Sequence, residues 1–524
     1  MEQKAAGHIR WEGARLERAL FFLFLAVGIF ARVWRFGAVP GGMNQDEAFA
    51  AYEAYSLLTT GLDTSGYPFP VYLTAWGSGM NVLESCLMIP FIALFGLEAW
   101  AVRLPQLIVA VLSLAAAWDV MKRTADRWAA LCGLFLLAVC PWHIFLARWG
   151  LESNLAPGFL LFGLCFFLRG LEDHRFFLLS ALMYGLSLYC YATIWPFVPL
   201  ILLLQAGYAW RCGQIRFRGR DGAWIALSVG LLFVLALPLL LFLLVNLGFL
   251  EEIRLPFLSI PRLLYLRSGE FSFSRVPENA ARLLHLLLAQ DDGLPWNGTP
   301  RFGLFYYITL PFFLVGLCRC AWELAAGLRR GEPRPLGFLV IQLAAAVLQG
   351  VSISSNVNRV NSLWMAVVLM SAAGAWFLCR RIDLRGLVIP LVLYAALFVQ
   401  FECYYFTDYA REAQRHFAYG LEQALDAAAG REGTVCVSPG ANYARVLFYT
   451  AQDPDEYRAS VRYTNYPSAF LDVEGFGRYT FSFDPAAPDR SCAYVLDAYT
   501  DLAPFRAAGF TVETYGWYST AYCE

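Results

Sequence analysis

The sequence predicts a polytopic α-helical membrane protein that ends in a small extracytoplasmic α/β domain. Of its 524 residues, 59% are hydrophobic and 15% are charged, whereas soluble domains carry roughly 25% charged and 45–50% apolar residues. Apolar runs recur as far as residue 403, each near the ~20 residues that a spanning helix needs. After about residue 405 the composition changes to that of a soluble domain. We therefore expect about eleven transmembrane helices within residues 1–404 and the α/β domain within residues 405–524.

Net charge and cysteine content exclude several classes of site. A net charge of −1 gives no reason to expect a nucleic-acid partner. The 13 cysteines show neither CxxC nor Cys/His metal spacing, and most lie in apolar runs, where a buried thiol behaves as a small hydrophobic group. A disulfide between Cys436 and Cys492 stays open, because an extracytoplasmic domain permits one and two strand cysteines also come together by chance.

The predicted spans share an apolar run of membrane length, and they lie near residues 19–36, 101–120, 128–146, 155–170, 176–192, 194–210, 224–246, 303–320, 336–352, 361–379 and 386–403. No small-residue cleavage site follows the first run. That run therefore predicts a retained helix rather than a signal peptide.

Short basic loops predict the orientation of these spans. Their basic residues are Lys122, Arg123 and Arg127, Arg169 and Arg175, the arginines of residues 211–220, Arg329, Arg330 and Arg334, and Arg380, Arg381 and Arg385. The positive-inside rule places these loops and the N-terminus in the cytoplasm, and an odd number of spans places the C-terminus outside. Residues 80–96 look like another span, but counting them would move the later basic loops outside. We expect them to form a helix that lies along, or dips into, the outer leaflet.

Two long outer segments follow from this topology, at about residues 37–100 and 247–302. The second segment mixes acids with arginines, among them Arg262 and Arg267. Arginines on the outside run against the usual bias, which long loops obey only weakly. The segment is therefore either an ordinary solvated loop or part of a site.

The C-terminal segment, of roughly 115 residues, has the size of a domain. Its pattern predicts a helix over residues 411–429 and strands over residues 434–437, 445–450, 493–496 and 511–514. The segment contains no catalytic constellation of its own. This favours an acceptor-docking or lid module over a second catalytic unit.

The stretch MNQDEAFAAYEAYSLL, residues 43–58, follows the first span and contains two adjacent carboxylates, Asp46 and Glu47. Its apolar residues recur at helical spacing, and Asn44 or Asp46 would be a suitable N-cap. The two acids are either simple first-turn partners of the helix dipole or functional groups where the membrane ends and water begins.

Ionisable residues crowd at the outer ends of the predicted spans. Besides Asp46 and Glu47, they are Glu84, Arg103, Arg148, Glu152 and Arg359. Charges at a bilayer are costly without partners and mark functional sites. The alternative is a set of structural ion pairs, such as Arg148 with Glu152 one helical turn away.

Carboxylates and arginines at an outer leaflet suit the transfer of a sugar from a lipid phosphate. Phosphate is a good leaving group, so the reaction needs a base for the acceptor hydroxyl and cations for the departing phosphate. Arginine suits the second task because its fork of donors matches phosphate oxygens and its charge does not titrate away.

Several pieces of the chain carry a family resemblance: NQDEAFAAYEAYSL, LFGLEAWAVRLPQ, ARWGLESNLAPGFLLFGLCFFLRGLE, GLSLYCYATIWPFVPL, DGLPWNGTPRFGLFYYITLPFFLVGL and SNVNRVNSLWM. They resemble the GT-C membrane glycosyltransferases, specifically the family-39-like group related to protein O-mannosyltransferases and aminoarabinose lipid A transferases. The acidic pair and the RLP element are the most specific of these pieces.

The resemblance implies a GT-C fold, a polyprenyl-phosphate sugar donor and a first-loop aspartate that activates the acceptor. That role falls on Asp46, with Glu47 beside it, and Glu152 is the nearest match to a second acidic residue. Many relatives have a His-Pro-Pro or Lys-Pro-Pro element where this chain has SGMNVLES, which leaves Glu84 as the charge there. Some relatives bind a divalent metal ion and others do not, so a metal stays open.

The resulting hypothesis is an inverting glycosyltransferase of the plasma membrane with an outward-facing site. The acceptor would be the hydroxyl of a glycan, lipid or protein, with Asp46 as base and Glu47 and Glu152 positioning. Glu84 is a further substrate-binding candidate, and the candidates for the donor phosphate are Arg103, Arg148, Arg262, Arg267 and Arg359. One alternative is a transporter or flippase of lipid-linked sugars, whose ionisable groups would lie near the bilayer midplane. A non-catalytic scaffold is another, in which the carboxylates would be incidental.

Overall fold

The computed structural model describes residues 2–216, 219–266, 273–381 and 385–523. Arg267, one of the predicted phosphate-binding residues, lies outside these ranges. Its predicted role as a phosphate ligand therefore stays a prediction.

The described part of the chain up to Tyr404 is a bundle of helices with two short hairpins. The helices are α1 (Glu2–Val33), α2 (Gln45–Thr60), α3 (Leu83–Phe95), α4 (Ala99–Val102), α5 (Leu104–Thr124), α6 (Arg127–Ala138), α7 (Pro141–Leu146), α8 (Glu152–Gly170), α9 (Phe176–Ser187), α10 (Phe197–Arg211), α11 (Gly219–Asn246), α12 (Val276–Ala289), α13 (Leu310–Arg330), α14 (Gly337–Ser352), α15 (Asn361–Cys379) and α16 (Arg385–Tyr404). The hairpins pair β1 (Tyr72–Leu73) with β2 (Met80–Asn81), and β3 (Ile253–Leu255) with β4 (Leu258–Ile260).

Seven stretches of helix in the described residues are long and apolar enough to cross a membrane: Ala99–Thr124, Glu152–Gly170, Ala192–Arg211, Asp221–Asn246, Tyr307–Arg330, Asn361–Cys379 and Ile389–His416. Shorter apolar helices include α6, α9 and α14. Each predicted run coincides with helix in the structure, and the protein is a helical membrane protein. The count of about eleven spans stays a prediction. The run at 128–146 is divided into α6 and α7, because Pro141 starts a new helix at its first turn.

Two glycines allow helices α13 and α15 to pack closely. A Cβ at Gly316 would lie 1.8 Å from the carbonyl oxygen of Met370, and one at Gly374 would lie 2.0 Å from that of Phe312. Any larger side chain would push the two helices apart. Small residues at such crossings are typical of membrane helices, where close backbone approach supplies the packing.

Residues 80–96 form the second strand of a hairpin followed by a short helix. Asn81 in β2 pairs with Tyr72 in β1, and α3 has 13 residues, fewer than the ~20 needed to cross a bilayer. Helix α2 packs against α3. The helix predicted over residues 80–96 is therefore shorter in the structure, at Leu83–Phe95, and its position in the outer leaflet stays a prediction.

The C-terminal segment contains five helices and a seven-stranded mixed sheet. The helices are α17 (Ala410–His416), α18 (Leu421–Ala429), α19 (Tyr443–Thr450), α20 (Pro454–Ser460) and α21 (Ala503–Ala507). The strands are β5 (Val435–Val437), β6 (Arg462–Tyr463), β7 (Val473–Phe476), β8 (Tyr479–Thr480), β9 (Ala493–Asp497), β10 (Thr511–Tyr515) and β11 (Tyr518–Tyr522), in the order β10-β11-β9-β5-β8-β7-β6. Strand β5 runs parallel to both β8 and β9, and the other pairs are antiparallel.

Two of the predicted C-terminal elements are wrong. The predicted strand at 445–450 is the helix α19, which begins because the Asn442 side chain accepts a hydrogen bond from the Ala444 amide. The predicted helix at 411–429 is divided into α17 and α18, since Gly420 adopts a left-handed φ of 95° between them. The predicted boundary at residue 405 falls inside a continuous helical stretch that ends at His416, so the division into domains stays a prediction. All 13 cysteines, Cys436 and Cys492 included, are free thiols.

The C-terminal segment packs directly on α2. The Arg445 guanidinium donates from Nε to the Met43 carbonyl at 2.8 Å, and the Tyr52 hydroxyl donates to the Gln452 carbonyl at 2.8 Å. Arg458 donates to the Ser56 hydroxyl at 3.1 Å. Apolar residues of α2 share one buried core with those of the sheet. Helix α2 is therefore held between α3 on one side and, on the other, the part of the C-terminal segment from α17 to β11, which is called the sheet domain below.

Candidate active site

The first turn of α2 is fixed by a capping box. The Asn44 side chain accepts a hydrogen bond from the Asp46 amide at 3.0 Å, and the Glu47 carboxylate accepts one from the Asn44 amide at 3.3 Å. Asn44 is thus the N-cap, one of the two predicted possibilities. Because the capping is done by Asn44, the half-buried Asp46 side chain is not needed as the cap.

Glu47 is clamped by a buried bidentate ion pair with Arg103. The guanidinium donates from Nε to Oε1 at 2.7 Å and from Nη2 to Oε2 at 2.8 Å, and both side chains are fully buried. Arg103 also donates to the carbonyls of Pro40 and Gly42 at 2.8 and 2.6 Å. These donors are committed to protein oxygens, and the predicted contact of Arg103 with a donor phosphate stays a prediction. Arg103 holds Glu47 and the chain that leads into α2.

Glu47 and Glu84 approach each other around Gly150. The Gly150 amide donates to Glu47 Oε1 at 2.6 Å, and a Cβ at Gly150 would lie 2.8 Å from Glu84 Oε1. Burial, with smaller contributions from the carboxylates of Glu152, Glu47 and Asp46, raises the pKa of Glu84 well above its usual range. This favours a neutral Glu84, which the Gln106 amide contacts at 3.4 Å.

Glu152 begins α8 and contacts the β1–β2 hairpin. Its carboxylate accepts hydrogen bonds from the backbone amide of Asn81 and from the Asn81 side chain at 2.9 Å. The four predicted carboxylates therefore belong to one cluster, in which Asn81 and Gly150 are residues that sequence reasoning missed. Both lie inside motifs named above, SGMNVLES and ARWGLESN, but neither a side-chain amide nor a glycine identifies a residue as the partner of a carboxylate.

The Arg148 guanidinium is used by the fold itself, and its predicted contact with a donor phosphate stays a prediction. Arg148 is fully buried, and its guanidinium donates to five carbonyls around the end of α1, at 2.9 to 3.2 Å: Ala31, Arg32, Trp34, Arg35 and Val39. A helix C-terminus leaves such carbonyls unsatisfied and carries partial negative charge, so a cation there is favoured. These contacts replace the ion pair with Glu152 that the spacing allowed.

The two other described arginines that were predicted to bind the donor phosphate, Arg262 and Arg359, lie in loops. Arg262 is about half exposed, donates to the Leu250 carbonyl at 2.9 Å and lies 3.7 Å from Glu251. Arg359 precedes α15, whose first residue, Asn361, donates to the Asn154 side chain near the start of α8 at 2.9 Å. Their predicted contact with a donor phosphate stays a prediction.

Asp46 lines a cavity of about 420 Å³ between the start of α2 and the sheet domain. Trp76 of the β1–β2 hairpin and Tyr443, Phe470 and Asp472 of the C-terminal segment also line it. Within the described ranges, no three His, Cys, Asp or Glu side chains are grouped so that they could hold a metal ion. Glu47 and Glu84 are occupied by Arg103, Gly150 and Gln106, so this donor set does not fit a divalent ion and no step is assigned to one.

Comparison with known proteins finds a family model that matches part of the chain and solved structures of similar fold. Residues 85–242 match the family model described as dolichyl-phosphate-mannose-protein mannosyltransferase. The structure of ArnT from Cupriavidus metallidurans bound to undecaprenyl phosphate superposes with a TM-score of 0.56 at 14% identity, covering 97% of this chain and 98% of ArnT. Its apo structure gives a TM-score of 0.54 at 15% identity, covering 95% and 97%. No curated protein sequence matches the chain.

These findings agree with the helical bundle of the structure, whereas the motif that contains Asp46 and Glu47 lies before the residues that the family model matches. The structural similarity extends over nearly the whole of both chains, and the family match begins in α3 and ends in α11. The resemblance to the GT-C membrane glycosyltransferases is therefore confirmed, and the chain has their fold.

Proposed function

We propose that this protein transfers a sugar from a polyprenyl-phosphate carrier to an acceptor hydroxyl at the extracytoplasmic face of the plasma membrane. The observation that carries the proposal is the setting of Asp46. Its backbone is fixed in the first turn of α2 by Asn44 and Glu47, and the residue lines the cavity at the sheet domain. A carboxylate in such a place is held in a defined position and is accessible to a hydroxyl.

The reaction is a single displacement. Asp46 accepts the proton of the acceptor hydroxyl, whose oxygen attacks the anomeric carbon on the face opposite the phosphate. The new C–O bond forms as the bond to the phosphate oxygen breaks, and the electron pair leaves with the polyprenyl phosphate. One displacement inverts the anomeric centre.

The other carboxylates are positioning residues in this proposal. Glu47 carries the charge of the buried ion pair with Arg103 and accepts from the Gly150 amide, so it ties α2 to the loop before α8. Glu152 holds the hairpin through Asn81. A neutral Glu84 limits the repulsion among four acids that would otherwise oppose one another.

Binding of the donor phosphate requires cations other than the arginines whose donors are already bound to protein oxygens. Arg103 and Arg148 are committed to protein oxygens, which leaves Arg262 and Arg359, with Arg267 from the sequence, as the proposed ligands. Arginine binds phosphate through two parallel donors and stabilises the charge that develops on the leaving oxygen. The choice of a polyprenyl phosphate is supported by the match to the dolichyl-phosphate-mannose-protein mannosyltransferase family and by the ArnT complex with undecaprenyl phosphate.

The test compares wild type with Asp46→Asn. Asparagine keeps the size of aspartate but cannot accept a proton, and the cap at Asn44 is unaffected. We expect normal thermal stability and normal binding of undecaprenyl phosphate, with transfer reduced about 10²–10⁴-fold, the usual contribution of a positioned base.

Mass spectrometry of envelope glycans and lipid-linked sugars in a deletion strain identifies the donor and acceptor for this assay. The matched control is Asp501→Asn, which changes an exposed carboxylate of the sheet domain and should leave transfer intact. Near-normal turnover by Asp46→Asn would remove Asp46 as the base.

A further inference from the structure

The hairpin of β3 and β4 is attached to the end of helix α11. The Asn246 side chain donates a hydrogen bond to the Pro261 carbonyl at 3.0 Å and accepts one from the Leu263 amide at 2.8 Å. Asn246 is the last residue of α11, so the chain that leaves the helix is brought back to it after the hairpin. The hairpin is therefore held at the level where α11 ends.

Backbone hydrogen bonds join the hairpin to the first outer segment as well. The Ser259 amide donates to the Phe69 carbonyl at 3.2 Å, and the Val71 amide donates to the Ser259 carbonyl at 2.9 Å. Apolar side chains of the two segments and of α11 share a small buried core, formed by Val71, Tyr72, Phe242, Val245, Ile260 and Leu263. The position of the hairpin is thus fixed by packing and by hydrogen bonds to both neighbours.

Other apolar side chains of the same stretch are exposed. Phe257, between the two strands, is 73% exposed, and Phe249, ahead of β3, is 74% exposed. Further large apolar residues of the stretch that are exposed are Leu247, Leu250, Leu255, Leu264 and Tyr265. Exposed apolar patches of this kind mark contact with a membrane or with another protein.

This patch continues the exposed apolar face of α11. Phe233, Leu240 and Leu244 are exposed on the helix, and Leu247 follows its last residue directly. Residues Asp221–Asn246 form a stretch that is long and apolar enough to cross a membrane. The exposed apolar side chains of a spanning helix contact lipid. The continuity therefore favours lipid over protein as the partner of the hairpin.

The length of α11 places the hairpin at the boundary between lipid and water. The 26 residues of the apolar stretch extend about 39 Å at 1.5 Å per residue, more than the ~30 Å of the hydrocarbon core and close to the ~40–45 Å of a whole bilayer. In a spanning helix of this length, Asn246 lies in the headgroup region. The exposed charged residues of the hairpin region, Glu251, Glu252, Arg254 and Arg262, suit that level, because charged groups stay among the headgroups while apolar side chains enter the acyl chains.

We propose that the β3–β4 hairpin is a membrane-contact element, which inserts Phe249 and Phe257 between the lipids of the leaflet at which α11 ends. The insertion holds Arg262, which donates to the Leu250 carbonyl at 2.9 Å, at the level of the lipid phosphates. It also keeps residues 69–71, which bind β4, at the lipid surface. This lipid contact is independent of the proposed function, because it requires only that α11 cross the bilayer.

The experiment measures whether a spin label on the hairpin is surrounded by lipid or by water. Phe257→Cys and Phe249→Cys are made in a protein whose exposed thiols, Cys86, Cys318 and Cys403, are replaced by serine. The variants are labelled with a nitroxide in vesicles of phosphatidylethanolamine and phosphatidylglycerol. Oxygen concentrates in lipid and a water-soluble nickel chelate stays in water, so the ratio of their collision rates with the label reports its surroundings.

Reference positions calibrate this ratio. Tyr499→Cys replaces a ring of similar exposure, 68%, on the sheet domain and is the aqueous reference. Phe233→Cys, near the middle of α11, is the lipid reference, and the protein without an added cysteine is the blank. We expect the oxygen-to-nickel ratio at Phe249→Cys and Phe257→Cys to be at least about threefold that at Tyr499→Cys, since inserted apolar groups lie roughly 5–10 Å into the boundary of headgroups and acyl chains.

Two other outcomes would overturn the inference. A ratio at either hairpin position equal to that of Tyr499→Cys, with frequent nickel collisions, would mean that the hairpin is a solvated loop. Rare collisions with both reagents would mean that protein covers the hairpin, such as a second copy of the chain. Each result is distinct from a loss of sugar transfer, which reports on the proposed function alone.

Discussion

Asp46 and Glu47 are adjacent in the sequence, yet their surroundings give them different roles. Asp46 is half-buried and borders the cavity, while Glu47 is fully buried against Arg103. Sequence reasoning could identify the acidic pair because two carboxylates at a helix start beside a membrane are unusual. It could not predict the contacts of Arg103 and Arg148, because their partners are largely backbone carbonyls, which every residue possesses.

The buried pair predicts a structural effect for Glu47→Gln. The sequence alone would make this change milder than Asp46→Asn, since glutamine preserves shape. In the structure, however, it leaves a buried guanidinium without its counter-charge, and breaking a buried ion pair costs about 3–5 kcal/mol. We expect a clear fall in the thermal unfolding temperature in detergent, with loss of transfer following from it.

The control for this change is Glu251→Gln. Because the Glu251 side chain is 93% exposed, this substitution should leave the unfolding temperature unchanged. An unfolding temperature equal to that of wild type for Glu47→Gln would mean that the Arg103 pair does not stabilise the fold.

Arg262 provides a prediction for the donor phosphate. Its side chain is 45% exposed, so solvent weakens its electrostatic contribution, and we expect Arg262→Ala to reduce undecaprenyl phosphate affinity by about tenfold. Lysine should restore only part of that affinity, because it keeps the charge and loses the fork of donors. Arg254→Ala is the matched control, since Arg254 lies in β3 of the hairpin that precedes Arg262 and pairs with Glu252 at 3.0 Å. Equal affinity for undecaprenyl phosphate in all three variants would show that Arg262 does not bind the phosphate and belongs to an ordinary solvated loop.

Helix α2 shows how a local signal and tertiary packing combine. Its start was predictable, because Asn44 and Glu47 have the spacing of a capping box. Helix α19 was not, since residues 445–450 are short, apolar and β-prone, and such runs cannot be assigned from periodicity alone. What makes α19 a helix is the Asn442 cap together with its packing against α2. The long apolar runs of the bundle were predictable because membrane length and composition leave few alternatives.

The capping box predicts the effect of Asn44→Ala. The substitution leaves the Asp46 amide without its acceptor, and loss of an N-cap costs about 0.5–2 kcal/mol. Because Asp46 lies in the same first turn, we expect transfer to fall more than stability does. Asn44→Asp, which retains a capping oxygen, should keep both near wild type in thermal unfolding and transfer assays. If alanine and aspartate behave alike, the cap does not position Asp46.

The bundle has two chemically different ends. Helix α5 begins beside the Arg103–Glu47 pair, and α8 begins at Glu152. At their other ends Arg123 pairs with Glu172 at 2.6 Å, and Arg169 pairs with Asp119 at 3.0 Å. The 21 residues of α5 extend about 31 Å at 1.5 Å per residue, close to the ~30 Å of a hydrocarbon core. The carboxylate cluster and the basic loops are thus one bilayer thickness apart.

This separation gives the prediction that concerns the whole molecule. Basic loops favour the cytoplasm, so the end bearing Asp46 and the sheet domain should face outward. We expect an impermeant thiol reagent to label Gln45→Cys and Asp501→Cys in intact cells, and to label Asp173→Cys only after permeabilisation. All three positions are exposed. The exposed native thiols of Cys86, Cys318 and Cys403 are first replaced by serine, and that background protein is the control.

The opposite labelling pattern would contradict more than the orientation. If Gln45→Cys reacted only after permeabilisation, Asp46 would face the cytoplasm, and transfer to acceptors outside the membrane could not use this carboxylate as its base. The carboxylate cluster, the cavity and the sheet domain would move with it, because Arg445 and Tyr52 join the domain to α2. Labelling of Asp501→Cys alone in intact cells is incompatible with those two hydrogen bonds and would place the sheet domain away from α2. The pair of cysteines therefore tests the orientation of the bundle and the docking of the domain in one experiment.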